Sequence, residues 1–143
     1  MLLVAVVAAA AHVIRRRTTL DAPTQSSWSV PAQLDRTDFE RTDSPWLVAV
    51  FSSATCLSCR GTWTKAEQLA SEEVAVQQVD AVAHADLHRR YGIDAVPCLV
   101  VADSAGVVRA SFLGEPSSAD LWATVAELRE PGSTPPGCDH GTG

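Results

Sequence analysis

Two cysteines three positions apart, Cys56 and Cys59, mark the stretch of this chain best equipped for chemistry. They close the run Trp46-Leu47-Val48-Ala49-Val50-Phe51-Ser52-Ser53-Ala54-Thr55-Cys56-Leu57-Ser58-Cys59: an apolar segment, four small or polar residues, then the pair. Trp46–Phe51 has the length and the Val/Phe content of a buried strand. A helical pattern begins at the pair, and residues three apart on a helix share a face, with Cβ atoms roughly 5–6 Å apart. A small adjustment brings such sulfurs within disulfide range. Unpaired N–H groups of a first helical turn carry partial positive charge and favour a thiolate over a thiol. Cys56, at the very start, is therefore the expected nucleophile, and Cys59, one turn in, the expected resolving thiol.

The same spacing also serves as half of a zinc site. No second Cys-X-X-Cys and no His-rich pair follows at zinc spacing, which favours redox chemistry over metal. A non-catalytic metal-binding or metal-delivery module stays open as an alternative, with Cys56, Cys59 and Cys98 offering soft thiolates to Cu(I) or Zn(II). His84 and His88 lie one helical turn apart, as two ligands would. Arg89 and Arg90 follow directly and no acid or thiol completes the set, so a solvated face is expected there.

A chain of 143 residues has room for one domain plus tails, and 46% hydrophobic with 20% charged residues is enough to bury a core. The net charge of −6 hides an asymmetry, because the first twenty residues contain Arg15, Arg16 and Arg17 and no acid. The remainder is more acidic still, which argues against a nucleic-acid partner. Four cysteines, at 56, 59, 98 and 138, are too few and too uneven for a disulfide-stapled scaffold.

Residues 1–14 are apolar except for His12, and three arginines follow. About 20 residues are needed to span a bilayer, so the segment is short unless its start lies upstream of Met1. The basic residues come after the apolar run, the reverse of a signal peptide. Residues 1–17 are thus expected to anchor the chain in a membrane, with the arginines and the domain on the cytoplasmic face. Residues 18–33, with Pro23 and Pro31, read as a linker. Leu34–Arg41 predicts a short helix capped by Asp35, and Asp43-Ser44-Pro45 a turn into the first long strand. Beyond the cysteines, Arg60–Glu73 predicts a helix with Trp63, Ala66, Leu69 and Ala70 as its apolar stripe; Trp63 is expected in the core rather than against a substrate. Val74–Val79 predicts a second strand closing at Asp80, and His84–Tyr91 a short helix stopped by Gly92. Then come a strand within Ile93–Val101, a turn at Asp103–Gly106, a returning strand Val107–Phe112 broken by Gly114, and a last helix opened by Ser117. Leu121, Trp122, Val125 and Leu128 are its expected inner face. Residues 131–143 read as a disordered tail, in which Cys138-Asp139-His140 has no preorganisation to bind metal.

The order strand–helix–strand–helix–strand–strand–helix implies an α/β fold with a parallel pair, crossover helices and a closing antiparallel hairpin. With Phe51, Cys56-X-X-Cys59, Asp80, Tyr91-Gly92-Ile93, Val96-Pro97, Gly106 and Gly114 in their places, residues 34–130 resemble the thioredoxin family. The resemblance implies a thioredoxin-like mixed sheet flanked by helices, a cis Pro97 beside the cysteine pair, and docking of an extended substrate segment on Val96 and Pro97. It implies thiol–disulfide exchange with protein disulfide or dithiol substrates, an electron donor, and no cofactor, because the dithiol is itself the redox centre. It also places Cys98 near the pair, as a small buried residue or as an auxiliary thiol. A peptide-binding domain that keeps the groove without chemistry is a further alternative. The sequence departs from the family pattern at Thr55 (usually Trp), at Leu57-Ser58 (usually Gly-Pro), at Val50 (usually a buried acid) and at Thr64 (often Pro).

Overall fold

The computed structural model describes residues 28–134. The expected anchor at residues 1–17, the first part of the linker and the Cys138–His140 motif lie outside the described residues.

The central strand β1, Trp46–Ser52, has almost no polar face: every residue after Trp46 is buried. Such a strand is stable only between two covered faces, and the chain supplies both. β1 pairs in parallel with β2, Val74–Asp80, and antiparallel with β3, Cys98–Ala102, which in turn pairs antiparallel with β4, Val108–Leu113. The order across the sheet is β2-β1-β3-β4. β4 is the outer strand of the hairpin and alternates half-buried with exposed residues, as an edge strand should.

Alternation along β1 divides the core. Leu47, Ala49 and Phe51 point to one face, where they meet Leu34, Phe39, Val79, Val100 and Leu87 of the short helix α2, Ala85–Arg90. Val48 and Val50 point to the other, against Leu99, Val101, Ala66 of helix α1 (Leu57–Ala66), and Leu121 and Val125 of helix α3 (Ser118–Arg129). Each such Val, Leu or Phe side chain contributes about 1.5–3 kcal/mol on burial.

Local signals fix the element ends. Ser117 caps α3 by accepting from the Asp120 N–H, and Asp35 accepts from the Thr37 N–H to open a single 3-10 turn, Arg36–Asp38. That turn is shorter than the expected helix, but Leu34 and Phe39 are buried as anticipated. Pairing starts within the expected linker: Gln33 bridges Val107, and the Leu34 N–H donates to the Gly106 carbonyl at 2.8 Å. Gly106 has φ +80, and a Cβ there would run into the Leu34 carbonyl, so both backbone and space call for glycine.

Three expectations fail in detail. The helix beyond the cysteines is regular only to Ala66, tightens to a 3-10 turn over Glu67–Leu69 and ends before Glu73, leaving Ala70 exposed. Trp122 is 48% exposed, because it lies one residue, and so about 100° of helix, from the buried Leu121. The histidines are not a solvated face. His88 is half-buried, its Nε2 lies 2.8 Å from the Val79 carbonyl, and its ring meets Phe51 edge-on with centroids 5.3 Å apart. His84 is half-buried too, with a buried Nδ1 that has no hydrogen-bond partner among the described residues.

Candidate active site: a dithiol at a helix start

The loop from β1 to α1 folds back on itself through a Cys56 N–H to Ser53 carbonyl bond of 3.1 Å, which delivers Cys56 to the N-cap of α1. Cys56 has extended backbone angles (φ −88, ψ 112), and its sulfur accepts from the Cys59 N–H at 3.2 Å. It thus holds the place an N-cap oxygen usually takes, against N–H groups that have no helical partner. Cys56 and Cys59 are joined as a disulfide, with Cα atoms 5.3 Å apart. Their environments differ: Cys56 is half-exposed at the rim, whereas Cys59 is 1% exposed.

Sequence position 57 is open to visitors, since Leu57 is 77% exposed. Ser58, which sequence reasoning passed over, places its Oγ 3.5 Å from the Cys56 sulfur. The signal was there in principle, because a hydroxyl two residues after an N-cap stands beside the cap atom. On the core side Val50 is fully buried among aliphatic residues, so no acid lies at that position. Thr62 is also fully buried beneath α1 and donates its hydroxyl to the Ser58 carbonyl at 2.9 Å. Thr64 donates its hydroxyl to the Arg60 carbonyl at 3.0 Å in the same i−4 manner, and α1 is unbroken through the position where a proline is common.

Sheet register brings the remaining expected site residues to the same end. Phe51 pairs with Cys98, and Cys98 pairs with Leu113, so the segment before β3 and the segment after β4 both lie where β1 hands over to the cysteine loop. The Val96–Pro97 bond is cis. The Pro97 carbonyl accepts from the Gly114 N–H at 2.9 Å. Among the described residues the Val96 N–H and carbonyl have no hydrogen-bond partner, and its side chain is half-buried. After Gly114, Glu115 lays its carboxylate over Gly61 of α1 and pairs with Lys65 at 2.7 Å, tying this loop to the cysteine helix.

Cys98 is placed differently from its neighbours. Its side chain belongs to the face covered by α2, with Phe51, Val79 and Leu87, whereas α1 packs on the opposite face. Burial pushes its thiol up to about 11, so it stays protonated at neutral pH. Among the described residues no group of three or more His, Cys, Asp or Glu side chains is placed to share a metal ion.

A family model described as Thioredoxin matches residues 32–127. Among solved structures, a mutant thioredoxin from Halobacterium salinarum NRC-1 is 24% identical, with a TM-score of 0.52 over 61% of this chain and 76% of that one. Thioredoxin-2 of the malaria parasite, described as a component of its protein secretion machinery, is 20% identical with a TM-score of 0.53, covering 58% of this chain and 82% of that one. A yeast structure determined for the thiol-resolving mechanism of a mitochondrial 1-Cys peroxiredoxin is 18% identical, with a TM-score of 0.52 over 61% and 82% of the two chains. At these identities the structural likeness is one of fold. No curated protein sequence matches the chain.

Proposed function

The chain belongs to the thioredoxin family, and from that premise we propose that it is a thiol–disulfide oxidoreductase whose working groups are Cys56 and Cys59. In the reducing direction the Cys56 thiolate attacks one sulfur of a substrate disulfide, and the other substrate sulfur leaves and takes up a proton. The Cys59 thiol gives up its proton and attacks the Cys56 sulfur, which expels the substrate's remaining sulfur and closes the Cys56–Cys59 bond. Two electrons pass from the dithiol to the substrate. A second dithiol, the electron donor, must reopen the pair. No cofactor enters these steps.

The observation that carries this reading is the asymmetry of a bonded pair at one helix start: Cys56 at the N-cap and half-exposed, Cys59 behind it and buried. That arrangement gives the incoming sulfur access to one cysteine and shields the other until it is needed. Substrates are proteins with an exposed disulfide in an extended segment. The Val96 N–H and carbonyl, unpaired among the described residues, offer strand-like pairing beside Pro97, and Leu57 and Leu113, 77% and 44% exposed, offer apolar contact on either side. The apolar residues 1–14 followed by Arg15–Arg17 support a domain held at the cytoplasmic face of a membrane. Membrane fractionation of the full chain, with protease access from each side, tests that placement.

Disulfide-reduction turnover with insulin as substrate tests the chemistry, run on the parent, Cys56→Ser and Cys59→Ser proteins beside metal analysis. Turnover in the parent that is lost in both variants, without stoichiometric metal, is the expected result. Stoichiometric metal with no turnover in the parent would replace this reading by the metal-binding one.

A further inference from the structure

Between the Cys56 sulfur and the Ser58 Oγ, 3.5 Å apart, only one atom can donate. A sulfur in a disulfide carries no proton, so the hydrogen must come from the Ser58 hydroxyl. The same sulfur accepts from the Cys59 N–H at 3.2 Å. Two donors from one helical turn therefore converge on it, and on the core side of the strand Val50 offers no carboxylate.

We propose that the Ser58 hydroxyl is a hydrogen-bond donor that stabilises the Cys56 thiolate and biases the pair toward accepting electrons from substrate dithiols. The proposal rests on the oxidoreductase reading and assigns it a direction. A donor aimed at the sulfur strengthens its bond when the sulfur becomes an anion, because a charged acceptor binds roughly twice as strongly as a neutral one. The reduced pair gains more than the disulfide does, so the reduction potential rises. The proline common at this position in the family has no hydroxyl and could not act in this way.

The oxidising reaction shows where the hydroxyl acts. The first thiolate of a substrate dithiol attacks the Cys56 sulfur, the Cys56–Cys59 bond breaks, and Cys59 leaves with the electron pair and takes a proton. The second substrate thiolate then attacks the substrate sulfur bound to Cys56, forming the substrate disulfide and expelling Cys56 as a thiolate. Two electrons have passed from the substrate to the pair. Ser58 O–H and Cys59 N–H receive the departing Cys56 charge, and a thiol of lower pKa leaves faster.

The test removes and restores the hydroxyl. Ser58→Ala and Ser58→Thr are made in a Cys59→Ala background, where the ultraviolet absorbance of the Cys56 thiolate is titrated against pH. They are also made in the two-cysteine protein, whose potential is set against a glutathione buffer. Ser58 is exposed and alanine is the better helix former, so the variant folds. Ser58→Ala should raise the Cys56 pKa by about one unit, a tenfold change, and lower the potential by about 30 mV. Ser58→Thr should restore both. An unchanged pKa in Ser58→Ala overturns the proposal, and so does a shift that Ser58→Thr leaves in place, since the hydroxyl would then not be its source. Failure of the parent to turn over any disulfide would instead sink the oxidoreductase reading, and the titration would still report on Ser58.

Discussion

Replacing Gly61 by alanine sets a gain within α1 against a loss at the loop that closes over it. In a helix interior alanine is favoured over glycine by about 0.8–1 kcal/mol. The new methyl group would occupy the space now filled by the Glu115 carboxylate, far inside contact distance. That carboxylate is the free end of a flexible side chain, so it can swing away, and what it gives up is the 2.7 Å ion pair with Lys65. With side chains 26% and 36% exposed, the pair contributes about 0.2–1 kcal/mol. Lys65 keeps its second acceptor, the Pro116 carbonyl at 2.8 Å. The two effects nearly cancel, and Gly61→Ala should lie within about 0.5 kcal/mol of the parent. In a Glu115→Ala background the obstruction is gone, and the same change should stabilise by about 0.8–1 kcal/mol. Urea denaturation of the four proteins closes the cycle, with an expected coupling of about 0.5–1 kcal/mol. A loss above about 2 kcal/mol in the single variant would refute the reasoning, because it would mean that the helix, not the carboxylate, has to move.

Three further outcomes are expected. Cys98→Ser buries a hydroxyl in an apolar cluster and should cost about 1–3 kcal/mol in chemical denaturation, while insulin-reduction turnover stays at the parent level; lost turnover in a folded variant would give Cys98 a part in the chemistry. Tyr91 is pushed up to about 12 from 10.0 by burial and by donating its hydroxyl to Asp38, so the neutral form is the one the fold favours. Its contribution is whole below pH 10 and is lost as pH rises toward 12; Tyr91→Phe should remove about 1–2 kcal/mol at neutral pH and flatten the alkaline limb of a stability–pH profile. Asp80 is held below its ordinary value of 3.8 by the Ala83 and Val82 N–H groups, so its stabilisation is present above that range and is lost as pH falls through the lowered value. Asp80→Ala should therefore be less stable than the parent at pH 7 and lose less on acidification, and parallel acid profiles for the two proteins would contradict the assignment.

The parts of the molecule that sequence made legible are those where one physical requirement acts alone. A six-residue apolar run rich in Val and Phe is too short for a helix and reads as a buried strand, and β1 exceeds that reading by one residue, Ser52. Gly92, Gly106 and Gly114 all adopt positive φ where breaks were expected. Reading failed where two requirements compete. Hydrophobicity groups Trp122 with Leu121, but the buried stripe of α3 runs through Leu121 and Val125 and leaves Trp122 about 100° round the helix from Leu121. His88 reads as solvent-facing beside its arginines, yet in a helix as short as Ala85–Arg90 it is held against Phe51 and the Val79 carbonyl. At the site, the cysteine spacing announced the pair, and its exposure asymmetry followed from the helix start. A contact set by the exact path of a loop, such as Glu115 over Gly61, leaves no periodic trace in the sequence.

Trapping of the mixed disulfide tests the central claim most directly. The reduced Cys59→Ser and Cys56→Ser variants are each mixed with a protein disulfide, quenched with acid, and mapped by mass spectrometry. The account predicts a covalent adduct on Cys56 in Cys59→Ser and almost none in Cys56→Ser, because the remaining Cys59 is buried and off the helix cap. Equal trapping on Cys59, or no adduct on Cys56, would contradict it.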